Sequence, residues 1–142
     1  MIIEINNLSK RLLDKRFFST VAKKVLSGEN RETENLSLAF VEKKEIKNLN
    51  KKFRKKDKPT DVLSFELRPT GYPEKYLGEI IICPEVVEEN AIKYNSNFKN
   101  EMTKVFVHGI LHLLGYDHEK SNKDEKLMEE KQEKYLSKIK IK

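Results

Sequence analysis

All three histidines of the chain lie between residues 108 and 118, in the segment HGILHLLGYDH. His108 and His112 are four residues apart, so on a helix both side chains lie on one face, with Cβ atoms roughly 5–6 Å apart. Two imidazoles in that arrangement can bind one zinc-like ion. Gly115 permits a sharp turn that can bring His118 back as a third ligand. Three protein ligands leave a position open for water, which is typical of a catalytic site.

The chemistry expected of this cluster is hydrolysis. A bound divalent cation lowers the pKa of its water to about 7 and polarises a phosphoryl or carbonyl oxygen. The alternative is that the histidines are ordinary surface or core residues, but the glycine turn between the second and third favours a metal site. A purely structural zinc site usually needs a fourth ligand. Asp117 and, more remotely, Cys83 are the candidates, although a turn residue and a buried strand-end cysteine are the simpler interpretations.

One position in the histidine segment argues against peptide hydrolysis. Zinc proteases with the HExxH motif have a glutamate directly after the first histidine, where it acts as general base. Here that position is Gly109. The sequence therefore disfavours a zinc peptidase, although it does not exclude one.

A second cluster is basic and contains the only arginine of its segment. Its cations lie between residues 51 and 58: Lys51, Lys52, Arg54, Lys55, Lys56 and Lys58. The guanidinium of Arg54 suits bidentate contact with phosphate or stabilisation of a phosphorane-like transition state. A solvated basic loop is the alternative interpretation.

Composition limits the remaining choices. The chain has 142 residues, of which 37% are hydrophobic and 37% charged, which suits one domain with a modest core. The 29 basic and 23 acidic residues give a net charge of +6, which favours a polyanionic partner such as nucleic acid. The single cysteine excludes an internal disulfide. No signal peptide or membrane-spanning apolar run is apparent, so we expect a soluble, cytoplasmic protein.

The elements that must position these residues follow from hydrophobic periodicity and from turn residues. Strands are predicted at residues 1–6, 36–41, 61–67 and 76–83, and the last two form a hairpin around a Pro/Gly turn at 69–73. Helices are predicted at residues 9–26, from 44, at 85–95, at 100–114 and from 121. The order βαβαββ followed by three helices predicts one α+β domain, residues 1–142, with a small mixed four-stranded sheet packed with about five helices.

Local signals set the predicted helix ends. Ser9 and Ser121 are predicted N-caps, and the Ser-x-x-Asp spacing from Ser121 resembles a capping box. Gly28 and Gly115 suit helix C-termini, and Pro84 suits a first helical position. The first helix is predicted to have Leu12, Leu13, Phe17, Val21 and Val25 on one face. The second carries Ile46, Leu49 and Phe53, and the inner face of the last consists of Leu127, Met128, Tyr135 and Ile139.

Three blocks of the sequence resemble the YbeY family of bacterial endoribonucleases, which are also called rRNA maturation factors. They are HGILHLLGYDH at 108–118, LNKKFRKKDKPTDVLSF at 49–65 and, more weakly, LGEIIICPE at 77–85. The resemblance implies a zincin-like metal-dependent hydrolase fold and one Zn²⁺ bound by His108, His112 and His118. The family's functionally important arginine corresponds to Arg54. Glu79 stands where the family often has aspartate, which leaves its role open.

The resemblance also implies a biological setting. The family acts in maturation of the small-subunit rRNA 3′ end and in ribosome quality control, in the cytoplasm. Its partners include ribosomal RNA, a small-subunit ribosomal protein and an Era-type GTPase.

The resulting hypothesis is phosphodiester hydrolysis in single-stranded RNA, with catalysis by Arg54, His108, His112 and His118. The lysines of residues 51–58, together with Lys104, would contact the RNA backbone. Thr60 and Asp61 would order the basic loop by hydrogen bonds. Two alternatives stay open: a non-catalytic RNA-binding ribosome-assembly factor with a structural metal, and a zinc peptidase.

Overall fold

The structure, a computed structural model, describes residues 1–66, 76–116 and 121–139. The described residues form four strands and five helices in the predicted order. The strands are β1 (Ile3–Asn7), β2 (Asn35–Phe40), β3 (Val62–Phe65) and β4 (Tyr76–Ile82). The helices are α1 (Lys15–Gly28), α2 (Lys43–Arg54), α3 (Pro84–Lys93), α4 (Phe98–Leu113) and α5 (Asn122–Lys138).

The four strands form one mixed sheet, as predicted, in the order β1-β2-β4-β3. Strands β1, β2 and β4 run parallel, and β3 pairs antiparallel with β4. The predicted hairpin is therefore confirmed, while its Pro/Gly turn at 69–73 lies outside the described residues. Because β3 is an edge strand, one side of its backbone faces away from the ladder and can accept hydrogen bonds from elsewhere.

Side chains alternate between the two faces of the sheet and enter two separate cores. Leu36, Leu38 and Phe40 of β2 enter the larger core, as predicted, with apolar residues of α1, α4 and α5. Ala39 of β2 enters a smaller core that includes Ile46 of α2. The histidine-bearing helix α4 and the basic helix α2 therefore pack on opposite faces of one sheet.

The N-terminus of α1 corrects one prediction. Ser9 does not cap a helix: its hydroxyl donates to Asn7 Oδ1 (2.7 Å). Asp14 is the N-cap instead, and its Oδ1 accepts a hydrogen bond from the Phe17 amide (3.2 Å). Leu12 consequently precedes the helix and is 97% exposed, so its predicted place on the apolar face of this helix is wrong.

Other predicted helix ends agree with the structure. Ser121 caps α5 and accepts from the Asp124 amide (3.1 Å), and Pro84 is the first residue of α3. Gly28 is the last residue of α1. A Cβ there would lie 2.6 Å from Cε1 of Tyr135, so this glycine permits a close approach between α1 and α5.

The predicted inner face of α5 needs correction in one residue. In α5, Met128 and Tyr135 are buried, but Leu127 is 44% exposed because it lies beside the inner stripe rather than on it. In α2, Ile46 is buried and Phe53 is exposed. Among the described residues, no helix combines the length and the apolar character that crossing a membrane requires.

Candidate metal centre and its basic flank

Helix α4 carries His108 and His112 on its last two turns. Asn97 starts the helix by accepting from the Asn100 amide (2.8 Å), and apolar residues fix one face of the helix in the larger core. His108 is half-buried and His112 is exposed. The two imidazoles are thus one helical turn apart at the border between core and solvent, as the spacing predicts.

Gly109 explains how α4 lies so close to the sheet. A Cβ at this position would lie 3.2 Å from two side-chain carbons of Ile80 and 3.3 Å from Oγ of Ser64. A Cβ here would require these side chains to give way by a few tenths of an ångström, and a longer side chain would require more. The position where an HExxH protease has its glutamate is packed against the sheet, which leaves no space for a general base there.

His108 also contacts helix α5. Its Nδ1 lies 3.1 Å from Oε1 of Gln132. A side-chain carbonyl oxygen only accepts hydrogen bonds, so this contact is a hydrogen bond when Nδ1 carries the ring hydrogen. The lone pair of the ring then lies on Nε2, the atom that would bind a cation.

Two clefts meet at His108 and share Lys104 and Gln132 in their walls. The smaller has a volume of ≈ 370 Å³ and extends towards the start of β3 and the end of α3, with Asp61, Asn90 and Tyr94 in its wall. The larger, of ≈ 710 Å³, runs along α5. Its wall carries the acidic side chains Glu125, Glu129, Glu130 and Glu133. Lys104, one turn before His108, lies in the wall of both clefts.

The chain turns sharply after α4, as Gly115 predicts. The Gly115 amide donates to the His112 carbonyl (3.1 Å) and the Tyr116 amide donates to the Leu111 carbonyl (3.1 Å). This pair of bonds is a Schellman motif, and the φ of +105° at Gly115 is the left-handed conformation that the motif requires. The turn directs the chain towards residue 118 immediately after the second histidine.

The carboxylate of a half-buried glutamate, Glu29, holds this turn in place. Tyr116 donates its phenolic hydrogen to Oε1 of Glu29, which follows α1. Tyr135 donates to the other oxygen of the same carboxylate, and Lys131 Nζ lies 3.2 Å from it. The network joins three segments, α1, α5 and the turn, around one charge.

The network also changes the acidity of its members. Burial opposes ionisation of Glu29, but the hydrogen bonds from Tyr116, Tyr135 and Lys131 outweigh it and hold the pKa of Glu29 below its ordinary value. Burial and the bond to Glu29 raise the pKa of Tyr116. The carboxylate is therefore held ionised, which strengthens each hydrogen bond that it accepts.

The predicted third ligand, His118, and its neighbour Asp117 lie outside the described residues. Within the ranges 1–66, 76–116 and 121–139 there is no group of three or more His, Cys, Asp or Glu side chains that could hold a metal ion. The two described histidines are one part of the predicted set. Their donor chemistry fits a divalent cation, because they share a helix face and Gln132 favours the tautomer of His108 in which Nε2 carries the lone pair.

Arg54, the last residue of α2, reaches around the edge of the sheet. Its Nη2 donates to the main-chain carbonyl of Ser64 in β3 (2.8 Å), and its guanidinium carbon lies 5.0 Å from the centre of the Phe65 ring. The side chain of the same Ser64 lies against Gly109 on the other face. Strand β3 thus connects Arg54 with the helix that carries the histidines.

The remaining cations of the basic cluster are exposed. Helix α2 runs through Arg54, so the predicted loop of 51–59 is helical in its first part, and Lys55 ends the helix with a φ of +59°. Lys51 lies 3.9 Å from the Asp57 carboxylate, a long and exposed ion pair. The loop is ordered by Asn50, a buried residue whose amide donates to the Lys58 carbonyl (2.9 Å).

Two other residues considered from the sequence lie away from the histidines. Cys83 is buried in the smaller core, on the α2 face of the sheet, as expected for a strand-end cysteine. Glu79 alternates with Ile80 along β4, so it also points to the face opposite α4. Burial, with a contribution from Glu4, raises the pKa of Glu79. Thr60 and Asp61 were expected to order the basic loop by hydrogen bonds. Thr60 donates to Asp61 Oδ1 at 3.4 Å, so this bond joins the two residues to each other.

Sequence reasoning missed three polar residues that support the site: Glu29, Asn50 and Gln132. A signal exists for two of them, because Asn50 and Gln132 each follow a buried residue, Ile46 or Met128, by four positions. A polar side chain on the buried stripe of a helix needs a polar partner. The partner itself cannot be read from the spacing.

Comparison with known proteins gives a consistent assignment. Residues 4–140 match the family model described as Endoribonuclease YbeY. A protein of that name from Thermotoga neapolitana is 51% identical over 105 residues, which are 74% of this chain and 67% of that protein. Another from Aquifex aeolicus is 39% identical over 132 residues, 93% of this chain and 88% of that protein.

A solved structure shows a similar fold. The solution structure of a protein from Thermotoga maritima superposes with a TM-score of 0.69 at 38% sequence identity. The superposition covers 97% of this chain and 89% of the other.

Proposed function

The chain belongs to the YbeY family of endoribonucleases, which are hydrolases acting on RNA phosphodiester bonds, and from this we propose that it is a metal-dependent endoribonuclease. We further propose that the chain is one hydrolase domain, residues 1–142, that cleaves single-stranded regions of RNA. Its role would be maturation of small-subunit rRNA and ribosome quality control in the cytoplasm.

The observation that carries the proposal is the position of strand β3. One side of Ser64 accepts a hydrogen bond from Arg54, and the other side contacts α4 at Gly109, next to His108. Arg54, which is suited to bind phosphate, is therefore bonded to the same short strand that α4, the helix of His108 and His112, packs against. Phosphodiester hydrolysis needs both groups beside one substrate.

We assign the metal, Zn²⁺ at one ion per chain, to His108, His112 and His118. When bound, a divalent cation polarises a phosphoryl oxygen and makes its water ligand more acidic. Three protein ligands leave room for substrate or water, and the exposed position of His112 agrees with an open site.

Arg54 is assigned to the scissile phosphate. One of its five N–H donors is used by the Ser64 carbonyl, which fixes the side chain and leaves the other donors for substrate. Its charge would stabilise the negative charge that develops on the phosphate.

Charge sets the path of the RNA. The acidic side chains of the larger cleft, along α5, repel phosphate. The exposed cations Lys51, Lys52, Lys55, Lys56 and Lys58 lie at and after the C-terminal end of α2, next to the Arg54 that bonds to β3, and they attract phosphate. Lys104 adds a cation beside His108. We therefore place the RNA across β3, between the basic cluster and the smaller cleft.

The first test measures the metal and the activity together. Elemental analysis of the purified chain should find near-stoichiometric metal, and His118→Ala should lose it together with cleavage of single-stranded RNA. Metal retained in full by folded His118→Ala would contradict the ligand assignment, and a chain without metal under every loading condition would contradict the function.

The main alternative is an RNA-binding assembly factor whose metal is structural. His112→Ala separates the two, because His112 is exposed and its loss should leave the fold intact. Full biological function of folded His112→Ala would favour the assembly factor. A zinc peptidase is opposed by the packing of Gly109, and turnover of peptides but not RNA would reinstate it. A small-subunit ribosomal protein and an Era-type GTPase remain the proposed protein partners.

A further inference from the structure

We propose that Gln132 is a positioning residue for the metal centre: its side-chain carbonyl holds the His108 ring in the tautomer and orientation that present Nε2 to the cation. The inference rests on the proposed function and adds a residue from α5, a helix that carries none of the proposed ligands. Its observational basis is the 3.1 Å contact between Gln132 Oε1 and His108 Nδ1.

The chemistry of this pair has one productive arrangement. A neutral imidazole carries a single ring hydrogen, and the carbonyl oxygen of Gln132 only accepts. The contact therefore stabilises the form with hydrogen on Nδ1 and the lone pair on Nε2. Hydrogen bonds of this kind orient histidine ligands and increase their basicity, and their loss typically weakens metal binding by about 10–100-fold.

The packing of α5 makes Gln132 a rigid support. Met128 and Tyr135, four positions before it and three after it, are both buried, so Gln132 lies on the inner stripe of a helix whose other surfaces are largely charged. Lys131 and Tyr135 also bind the Glu29 carboxylate, which fixes α5 against α1. These buried neighbours and the bonds to Glu29 fix the part of α5 that places the Gln132 amide beside His108.

The place of Gln132 in the clefts supports a role beyond packing. It lines both clefts that meet at His108, so it is half-buried at the site rather than enclosed in the core. A hydrogen bond between helices at a solvent-accessible position contributes little to stability. The same bond has a large effect on a ligand whose ring it orients.

The experiment compares Gln132→Met with Gln132→Glu in the full chain. Methionine keeps the length of the side chain and removes the acceptor, whereas glutamate keeps an acceptor. The Zn²⁺ dissociation constant, measured by competition with a chromophoric chelator, should rise 10–100-fold in Gln132→Met. It should stay at or below the parent value in Gln132→Glu, and the thermal midpoint of both metal-free variants should stay close to that of the parent.

A charge control and a spectroscopic measurement complete the test. Glu133→Gln changes charge in the wall of the larger cleft at an exposed neighbouring residue and should leave Zn²⁺ affinity within about twofold, because a screened surface charge contributes little. In the Co²⁺-loaded chain, the visible absorption bands should shift in Gln132→Met and not in Glu133→Gln. Only Gln132→Met removes the hydrogen bond that orients a proposed ligand, His108.

The outcomes separate this inference from the function on which it rests. If the parent binds Zn²⁺ stoichiometrically and Gln132→Met binds it equally well with an unchanged Co²⁺ spectrum, the role of Gln132 is refuted and the proposed function stands. If the parent itself never binds Zn²⁺, both are refuted.

Discussion

The two halves of the site are built in different ways. Around the histidines, Gly109 packs against the sheet, a Schellman motif ends α4, and Glu29, whose side chain is 9% exposed, holds the turn. In the basic cluster, Asp57, the acidic partner of two lysines, is 60% exposed. A metal site requires ligands fixed within a fraction of an ångström, whereas a polyanion is attracted by charge at a distance.

This difference predicts how each half responds to mutation. In the histidine half, a small number of buried contacts should have large and specific effects. In the basic half, each exposed lysine should have a small effect that depends on salt. Arg54 is the exception, because its bond to Ser64 gives it a fixed position within the basic half. It provides the most direct test of the comparison.

We expect Arg54→Ala to have the largest effect among the variants of the basic half. It should lower the rate of RNA cleavage about 10²–10³-fold, the loss typical when a fixed donor to a developing negative charge is removed. Arg54→Lys should recover only part of the rate, because an ammonium cannot reproduce the guanidinium fork. Single-turnover cleavage of a single-stranded RNA measures both.

Lys52→Ala is the matched control for this variant. It removes an exposed cation from the same helix, and its effect on single-turnover cleavage should be less than about threefold, as for a screened surface charge. Metal content and thermal stability should be unchanged in all three variants. Equal losses in Arg54→Ala and Lys52→Ala would mean that Arg54 contributes charge alone, and the contrast within the basic half would disappear.

The next largest effect is on stability, from the network that holds the turn. Glu29→Gln keeps the shape of the side chain and removes the charge that accepts from Tyr116 and Tyr135. It should lower the free energy of unfolding at pH 7 by about 1.5–3 kcal/mol, the range for hydrogen bonds to charged groups. Urea denaturation followed by circular dichroism measures this difference.

The pH dependence of the same pair has a definite sign. The pKa of Glu29 is lowered in the folded chain, so its contribution is fully present above the unfolded pKa, about 4.3, and is lost as pH falls through the folded pKa. The difference in unfolding free energy between parent and Glu29→Gln should therefore be largest at pH 6–7 and shrink towards pH 3. A difference that does not change with pH would show that the carboxylate is not held ionised.

Much of the framework could be predicted because its signals are local. Gly115, Ser121 and Pro84 each act through their own backbone geometry or through bonds to residues within a few positions. The element order and the mixed sheet follow from hydrophobic periodicity. The spacing of His108 and His112 fixes their common helix face in the same local way.

The parts that sequence reasoning missed depend on contacts between distant segments. Glu29 is 87 positions from Tyr116 and 106 from Tyr135 in the sequence. Contacts between residues so far apart produce no periodic pattern that a single sequence could show. The start of α1 was misplaced for a different reason. Ser9 and Asp14 are both good N-caps, and the choice depends on where the chain leaves β1. The sequence therefore places Leu12 on the apolar face of the helix, although it precedes the helix and is exposed.

The smallest predicted effects come from single lysines of the basic loop. Lys56→Ala and Lys58→Ala should each weaken binding of single-stranded RNA only a fewfold at moderate salt. Each should make the negative slope of log Kobs against log salt shallower by about 0.7, because one phosphate contact fewer releases fewer counterions from the single strand. Lys23→Ala, an exposed lysine of α1, is the distant control and should leave the slope unchanged. Fluorescence anisotropy at several salt concentrations measures the slopes. If one loop lysine alone removed most of the binding at all salt concentrations, the basic loop would act through a fixed contact, as Arg54 does, and not through summed charge.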